Sequence, residues 1–185
     1  MDEKKPKKSA PLVTIIEDSR EQRSLDFAPF APFGVAVERR KLRTGDYSVA
    51  GYEHHILIER KSLQDLVGTL THGRERFLRE MYDRGAYVPC KHLVIEASWQ
   101  EISAAYSFSL ANPIAITNSV FSLMNPPTEI HVYANPSRAM LAWYIAEVAL
   151  NFVRRVTHGS RGLWAAVNAP DAADLAPLPC PYRSI

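Results

Sequence analysis

The run His55-Ile56-Leu57-Ile58-Glu59-Arg60-Lys61 constrains the fold more than any other stretch of the chain. Its first part is β-forming and apolar without alternation, so the strand is expected to be covered on both faces and to lie centrally in a sheet. It then runs straight into three charges. Charges at the end of a buried strand need partners or a metal, because desolvating them unpaired is costly. Strand side chains alternate, so Glu59 and Lys61 share one face while Arg60 points to the other.

Thirteen residues before Glu59, Asp46 sits at the Thr44-Gly45 turn that leads into a neighbouring strand. Glu59 and Lys61 by themselves could simply neutralise one another. With Asp46 present, two carboxylates can converge on one divalent cation, and Lys61 is left beside it. A hard cation such as Mg²⁺ takes a few carboxylate oxygens and retains water in its other positions. Such water is a competent nucleophile toward phosphorus, and the lysine can orient it or offset charge on the phosphoryl oxygens. Asp18, ending the first strand, is a candidate third carboxylate. No His/Cys cluster offers a soft-metal alternative.

The remaining pattern fills in one domain. Residues 12–16 read as a buried strand and 27–34 as a proline-bearing loop. Residues 35–42 and 46–49 read as further strands, the first ending in charge. Helical spacing begins at Ser62 with Leu63, Leu66, Val67 and Leu70, breaks at Gly73, and resumes through Phe77, Leu78 and Met81. A buried strand over 92–96, helices over 99–105 and 113–124, and a short strand over 129–133 follow. Asn135 and Pro136 are expected to cap and open the longest helix. Its apolar stripe, Met140, Leu141, Tyr144, Ile145, Val148, Ala149 and Phe152, suits either core or a dimer seam. The domain is expected over 12–158, between a disordered basic arm (1–11) and a flexible Ala/Pro-rich tail (159–185).

Net charge is only +2 on 185 residues, so any nucleic-acid site must come from local clusters of Lys and Arg. Cys90 and Cys180 form neither a disulfide framework nor a zinc pattern, which points to a reducing setting. No apolar run of about 18 residues predicts a membrane span. The charged N-terminus lacks a secretory apolar stretch, and a cytoplasmic, nucleoid-associated address is expected.

The run Leu42-Arg43-Thr44-Gly45-Asp46-Tyr47 … Ile58-Glu59-Arg60-Lys61-Ser62-Leu63-Gln64-Asp65-Leu66 resembles the GDXnERKX3D signature of the XPF/Mus81 (ERCC4-domain) structure-specific endonucleases. Gly68-Thr69-Leu70 and Gly73-Arg74 continue the likeness. Ile16-Glu17-Asp18-Ser19-Arg20-Glu21 is similar to the family's upstream acidic-Arg-Glu element, and Asn135 and Arg138 to the polar-Arg pair that often opens its last long helix. The resemblance spans roughly 12–157. It implies an α/β, restriction-endonuclease-like core, a mixed central sheet flanked by helices. It implies metal-dependent hydrolysis of branched, flapped or fork DNA in repair or recombination, with Mg²⁺ as cofactor and Mn²⁺ able to substitute. Asp18, Asp46 and Glu59 would ligate the metal, Lys61 would assist the attacking water, and Arg60 and Asp65 would complete the site. Asp65 also fits a capping box with Ser62, and both roles can hold together.

The family's helicase and helix-hairpin-helix modules are not evident in the chain, which resembles the stand-alone nuclease domains of bacteria and phages. A homodimer and a helicase or recombination partner in a separate chain are expected on the same grounds. Arg20, Arg43, Arg74, Arg76 and Arg79 are candidate DNA contacts, Arg74 by its match to the family position. The basic clusters also fit a solvated face with Glu38, Glu75 and Glu80 as partners. An inactive DNA-binding scaffold and a less structure-selective nuclease remain the alternative functions.

Overall fold

The computed structural model describes residues 11–81 and 88–159. The expected arm and tail, with Cys180, therefore lie outside the described residues, apart from Pro11 and Gly159. Six strands form one sheet in the order β2-β1-β3-β4-β5-β6: β1 is Val13–Asp18, β2 Val35–Arg40, β3 Tyr47–Val49, β4 Ile56–Ser62, β5 Cys90–Glu96 and β6 His131–Ala134. β3 pairs antiparallel with both neighbours, and every other pairing is parallel. The sheet is thus mixed, as expected.

Helices cover both faces. α1 (Leu63–Thr71), α2 (Arg74–Arg79), α3 (Trp99–Ser103) and α4 (Pro113–Met124) lie on one, and α5 (Arg138–Gly159) on the other. The alternation of β4 explains both layers. Ile56 and Ile58 pack with Leu141, Ile145 and Ala149 of α5. Leu57 packs on the opposite side with Leu66 and Val67 of α1. A strand apolar on both faces needs cover on both, and β4 lies fourth of the six. The stripe on α5 is largely consumed in this core, with Tyr144, Val148 and Phe152 partly buried at its margin. Exposed apolar side chains sit instead at Phe108, Leu110, Ile114, Phe121 and Met124.

Two local expectations need correction. Residues 28–33 are not an irregular loop but a 3₁₀ helix, closed by Gly34 at φ 80°; proline's fixed φ suits such a turn. α5 begins at Arg138 rather than Pro136. Asn135 Oδ1 accepts from the Ser137 backbone N–H at 2.9 Å, and the Ser137 carbonyl takes the first helical bond, from Leu141 N–H at 3.0 Å. The helical conformation is disfavoured for a residue before proline, so Asn135 makes a turn and Ser137 takes the cap position. β4 carries Glu59–Lys61 inside the strand, in register with Leu93–Ile95 of β5, as the alternation argument requires. Among the described residues no helix is long and apolar enough to cross a membrane.

Candidate active site

β3 meets β4 at a single register pair, Tyr47 with Ile58. Beyond it the chain turns away at Gly45, whose φ of 77° favours glycine. A Cβ at Gly45 would lie 3.0 Å from Leu57 and 3.1 Å from the Ile58 carbonyl. The backbone of Asp46 is pinned on both sides: its N–H donates to the Ile58 carbonyl at 2.9 Å, and its carbonyl accepts from Asp18 N–H at 2.8 Å. Where β3 stops, the Asp46 carboxylate takes over as ladder acceptor, receiving the Arg60 backbone N–H at 2.8 Å.

Asp46 and Glu59 line one pocket of ≈ 260 Å³ with Asp18, Arg20, Arg43, Thr44, Gly45 and Glu80. Burial, reinforced by the Glu59 charge, pushes the Asp46 carboxyl up to about 7. Burial likewise raises Glu59, against the pull of Lys61. Two half-submerged carboxylates that disfavour each other's charge are a donor set that a divalent cation relieves. Lys61 Nζ lies 3.1 Å from Glu59 Oε1 and 5.3 Å from the Phe77 ring centroid. Glu59 and Lys61 thus share a face, as the alternation predicts.

Arg60 points through the sheet to the α5 side. Its guanidinium, with a side chain 8% exposed, bonds Glu21 at 2.9 and 3.2 Å and Glu96 at 2.8 Å. Glu96 also accepts from Arg138 at 2.8 Å. Arg60 therefore faces away from the pocket and reaches it only through its backbone N–H.

Asp18 is in the pocket wall but fully engaged. Its two oxygens accept from the Arg20 N–H (2.7 Å), Nε (2.8 Å) and Nη2 (2.8 Å) and from the Leu42 N–H (2.8 Å). Those four donors match the lone-pair sites of a carboxylate. The Arg20 guanidinium, with the two backbone donors, holds Asp18 at about 2. Asp65 is not in the pocket wall: it is the third residue of α1, its N–H donating to Oγ of the N-cap Ser62 at 3.1 Å and its Oδ2 accepting from that hydroxyl at 2.6 Å. Among the described residues no three Asp, Glu, His or Cys side chains close into a metal cage.

The candidate DNA contacts divide. Arg20 and Arg43 line the pocket. Arg76 and Arg79 are exposed on α2. Arg74 turns to α4, bonding Ser122 Oγ at 3.0 Å. Outside that set, the basic residues Arg39 and Arg40 of β2 are engaged, Arg39 by Glu17 and Arg40 by Glu38 and Glu53. Glu80, read from sequence only as a surface partner, enters the pocket; it lies one helical turn beyond Phe77, the ring beneath Lys61. Glu21 and Glu96 were also not singled out as site residues, because only the sheet register brings them to Arg60.

The ERCC4 domain model of protein families matches residues 17–128, well over half of the chain. The chain belongs to the ERCC4 domain family. Asp46, Glu59, Arg60 and Lys61, at the β3–β4 corner described above, all fall within the matched residues. No curated protein matches its sequence significantly. In structure it is similar to XPF from Aeropyrum pernix, with TM-score 0.61 and 18% identity, covering 80% of this chain and 69% of that one. It is also similar to XPF from Aeropyrum pernix in complex with DNA, with TM-score 0.58 and 17% identity, covering 80% of this chain and 66% of that one. At these identities the likeness establishes the fold, which is the restriction-endonuclease-like one expected.

Proposed function

We infer that this ERCC4 domain is a metal-dependent DNA endonuclease acting on branched, flapped or fork DNA, in repair or recombination. The observation that carries this reading is the juxtaposition of Asp46 and Glu59, both pushed toward neutrality, with Lys61 at the Glu59 carboxylate. Membership of the family and the DNA-bound state of one structural relative support the choice of substrate.

Asp46 and Glu59 are the residues to hold Mg²⁺, with Mn²⁺ able to substitute; two carboxylates plus water and substrate phosphate are the usual ligands of that ion. When bound, the cation supplies positive charge at the scissile phosphate and makes an attacking water more acidic. Lys61, kept beside Glu59 by an ion pair and by the Phe77 ring, is placed to orient that water or to stabilise the phosphoryl charge. Arg20 and Arg43, on the pocket wall, are suited to the flanking phosphates. Asp18 acts by holding Arg20 and the Leu42 peptide, since its lone pairs are taken.

Incubating the protein with labelled flap, fork, nicked, linear and single-stranded DNA in Mg²⁺ or Mn²⁺ tests the reading. Cleavage of branched substrates, abolished by Asp46→Asn with DNA affinity retained, is the expected result. Binding without cleavage on every substrate would instead identify an inactive scaffold, and equal cleavage of linear DNA a nuclease without structure selectivity.

A further inference from the structure

We propose that Glu96 and Arg138 are positioning residues for the cleavage centre, acting through Arg60 on the Asp46 carboxylate, a role that rests on the nuclease reading above. The hydrogen bond that aims Asp46 Oδ2 comes from the Arg60 backbone N–H at 2.8 Å. The peptide bearing that donor is not free to move, because its side chain is gripped on the far side of the sheet. Glu21 takes two of its nitrogens and Glu96 the third. Glu96 Oε2 is shared with Arg138 Nη1, and Arg138 Nη2 carries on to the carbonyls of Arg23 (2.7 Å) and Ser24 (2.9 Å). The first residue of α5, the loop after β1 and the end of β5 are thereby tied to the Arg60 backbone donor directed at Asp46.

Two features set this network apart from an ordinary surface ion pair. A cation in the first turn of a helix faces the positive end of the helix dipole, so the helix alone disfavours Arg138 where it stands. Glu96 is also the common acceptor of two guanidinium groups, with Arg23 3.8 Å from its other oxygen. Neutralising it leaves like charges facing each other in a region where Arg60 is almost out of water. Exposed pairs contribute little, but breaking a buried one forces rearrangement of what remains. Small displacements of the Arg60 peptide pass directly to Asp46, and reacting geometries are sensitive to shifts on the order of 1 Å.

The test compares Arg138→Ala, Arg138→Lys and Glu96→Gln with Val148→Ala, which trims a half-buried side chain farther along α5, outside the network. Arg138→Ala is expected to lower turnover on flap DNA by about 10- to 100-fold with KM changed less than about twofold. Arg138→Lys, able to reach Glu96 but not both carbonyls as well, should lose less. Glu96→Gln combined with Arg138→Ala should be little worse than the worse single variant, because both break one network. Amide hydrogen exchange at Arg60, read by NMR without DNA or metal, should accelerate about tenfold in Arg138→Ala. Wild-type turnover and Arg60 exchange in Arg138→Ala would overturn the proposal. So would an equal loss of turnover in Val148→Ala at matched stability. If the wild-type protein cuts no DNA, the nuclease reading falls, yet the Arg60 amide still decides: faster exchange supports the positioning role and unchanged exchange refutes it.

Discussion

Asp65 and Asp46 stand in the same signature, yet their surroundings assign them different work. Asp65 is exposed and bonded to Ser62 at the start of α1, whereas Asp46 is half-buried beside Glu59. Asp65→Asn, which removes a negative charge from the first turn of α1, is therefore expected to cost about 0.3–1 kcal/mol of stability in urea denaturation and to leave cleavage nearly intact. A loss of turnover equal to that of Asp46→Asn would return Asp65 to the chemistry. His92 gives a pH dependence remote from the site. Burial, aided by His131, depresses it to about 3, while its ring nitrogens lie 2.9 Å from Tyr144 Oη and 3.2 Å from Cys90 Sγ. The unfolded chain protonates His92 near its ordinary 6.5, so between 6.5 and 3 the unfolded state binds more protons. The stability His92 confers is thus complete above that window and falls with pH inside it, by about 1.4 kcal/mol per unit. Denaturation midpoints of the wild type and His92→Gln between pH 4 and 7 should show a shallower acid slope in the variant.

At the level of elements, the site exists because β3 is too short to complete its ladder with β4. The Gly45 turn ends the pairing and puts the Asp46 side chain where a backbone acceptor would otherwise sit. Gly45→Ala would introduce a Cβ 3.0 Å from Leu57 in a backbone region that L residues resist. The expected cost is about 1–3 kcal/mol, measured by chemical denaturation, with a fall in turnover as Asp46 shifts. An alanine variant as stable and active as the wild type would show that the turn does not position Asp46. α2 contributes on the other side, bringing the Phe77 ring under Lys61 and Glu80 into the pocket from one helical face.

Across the whole molecule, the charge that could meet DNA is local. Arg20 and Arg43 sit at the pocket and Arg76 and Arg79 on exposed α2, while Arg39, Arg40 and Arg74 are engaged within the fold. The Arg76→Ala/Arg79→Ala pair is expected to flatten the dependence of log affinity on log salt by about two, with little change between sequences; an unchanged slope would place the DNA elsewhere. Much of this was legible along the chain. The unbroken apolar run of β4 required cover on both faces, and the parity of Glu59, Arg60 and Lys61 set their faces, because both follow from the two-residue period of a strand. The cap of α1 was legible because it is a local contact across three residues. Non-local register decided the rest. Asp18 is saturated by Arg20 and by Leu42, twenty-four positions away, and Arg60 meets Glu21 and Glu96 across distances of 39 and 36 positions. Such partners share no periodic spacing, so only the pairing of β1, β4 and β5 and the docking of α5 bring them together.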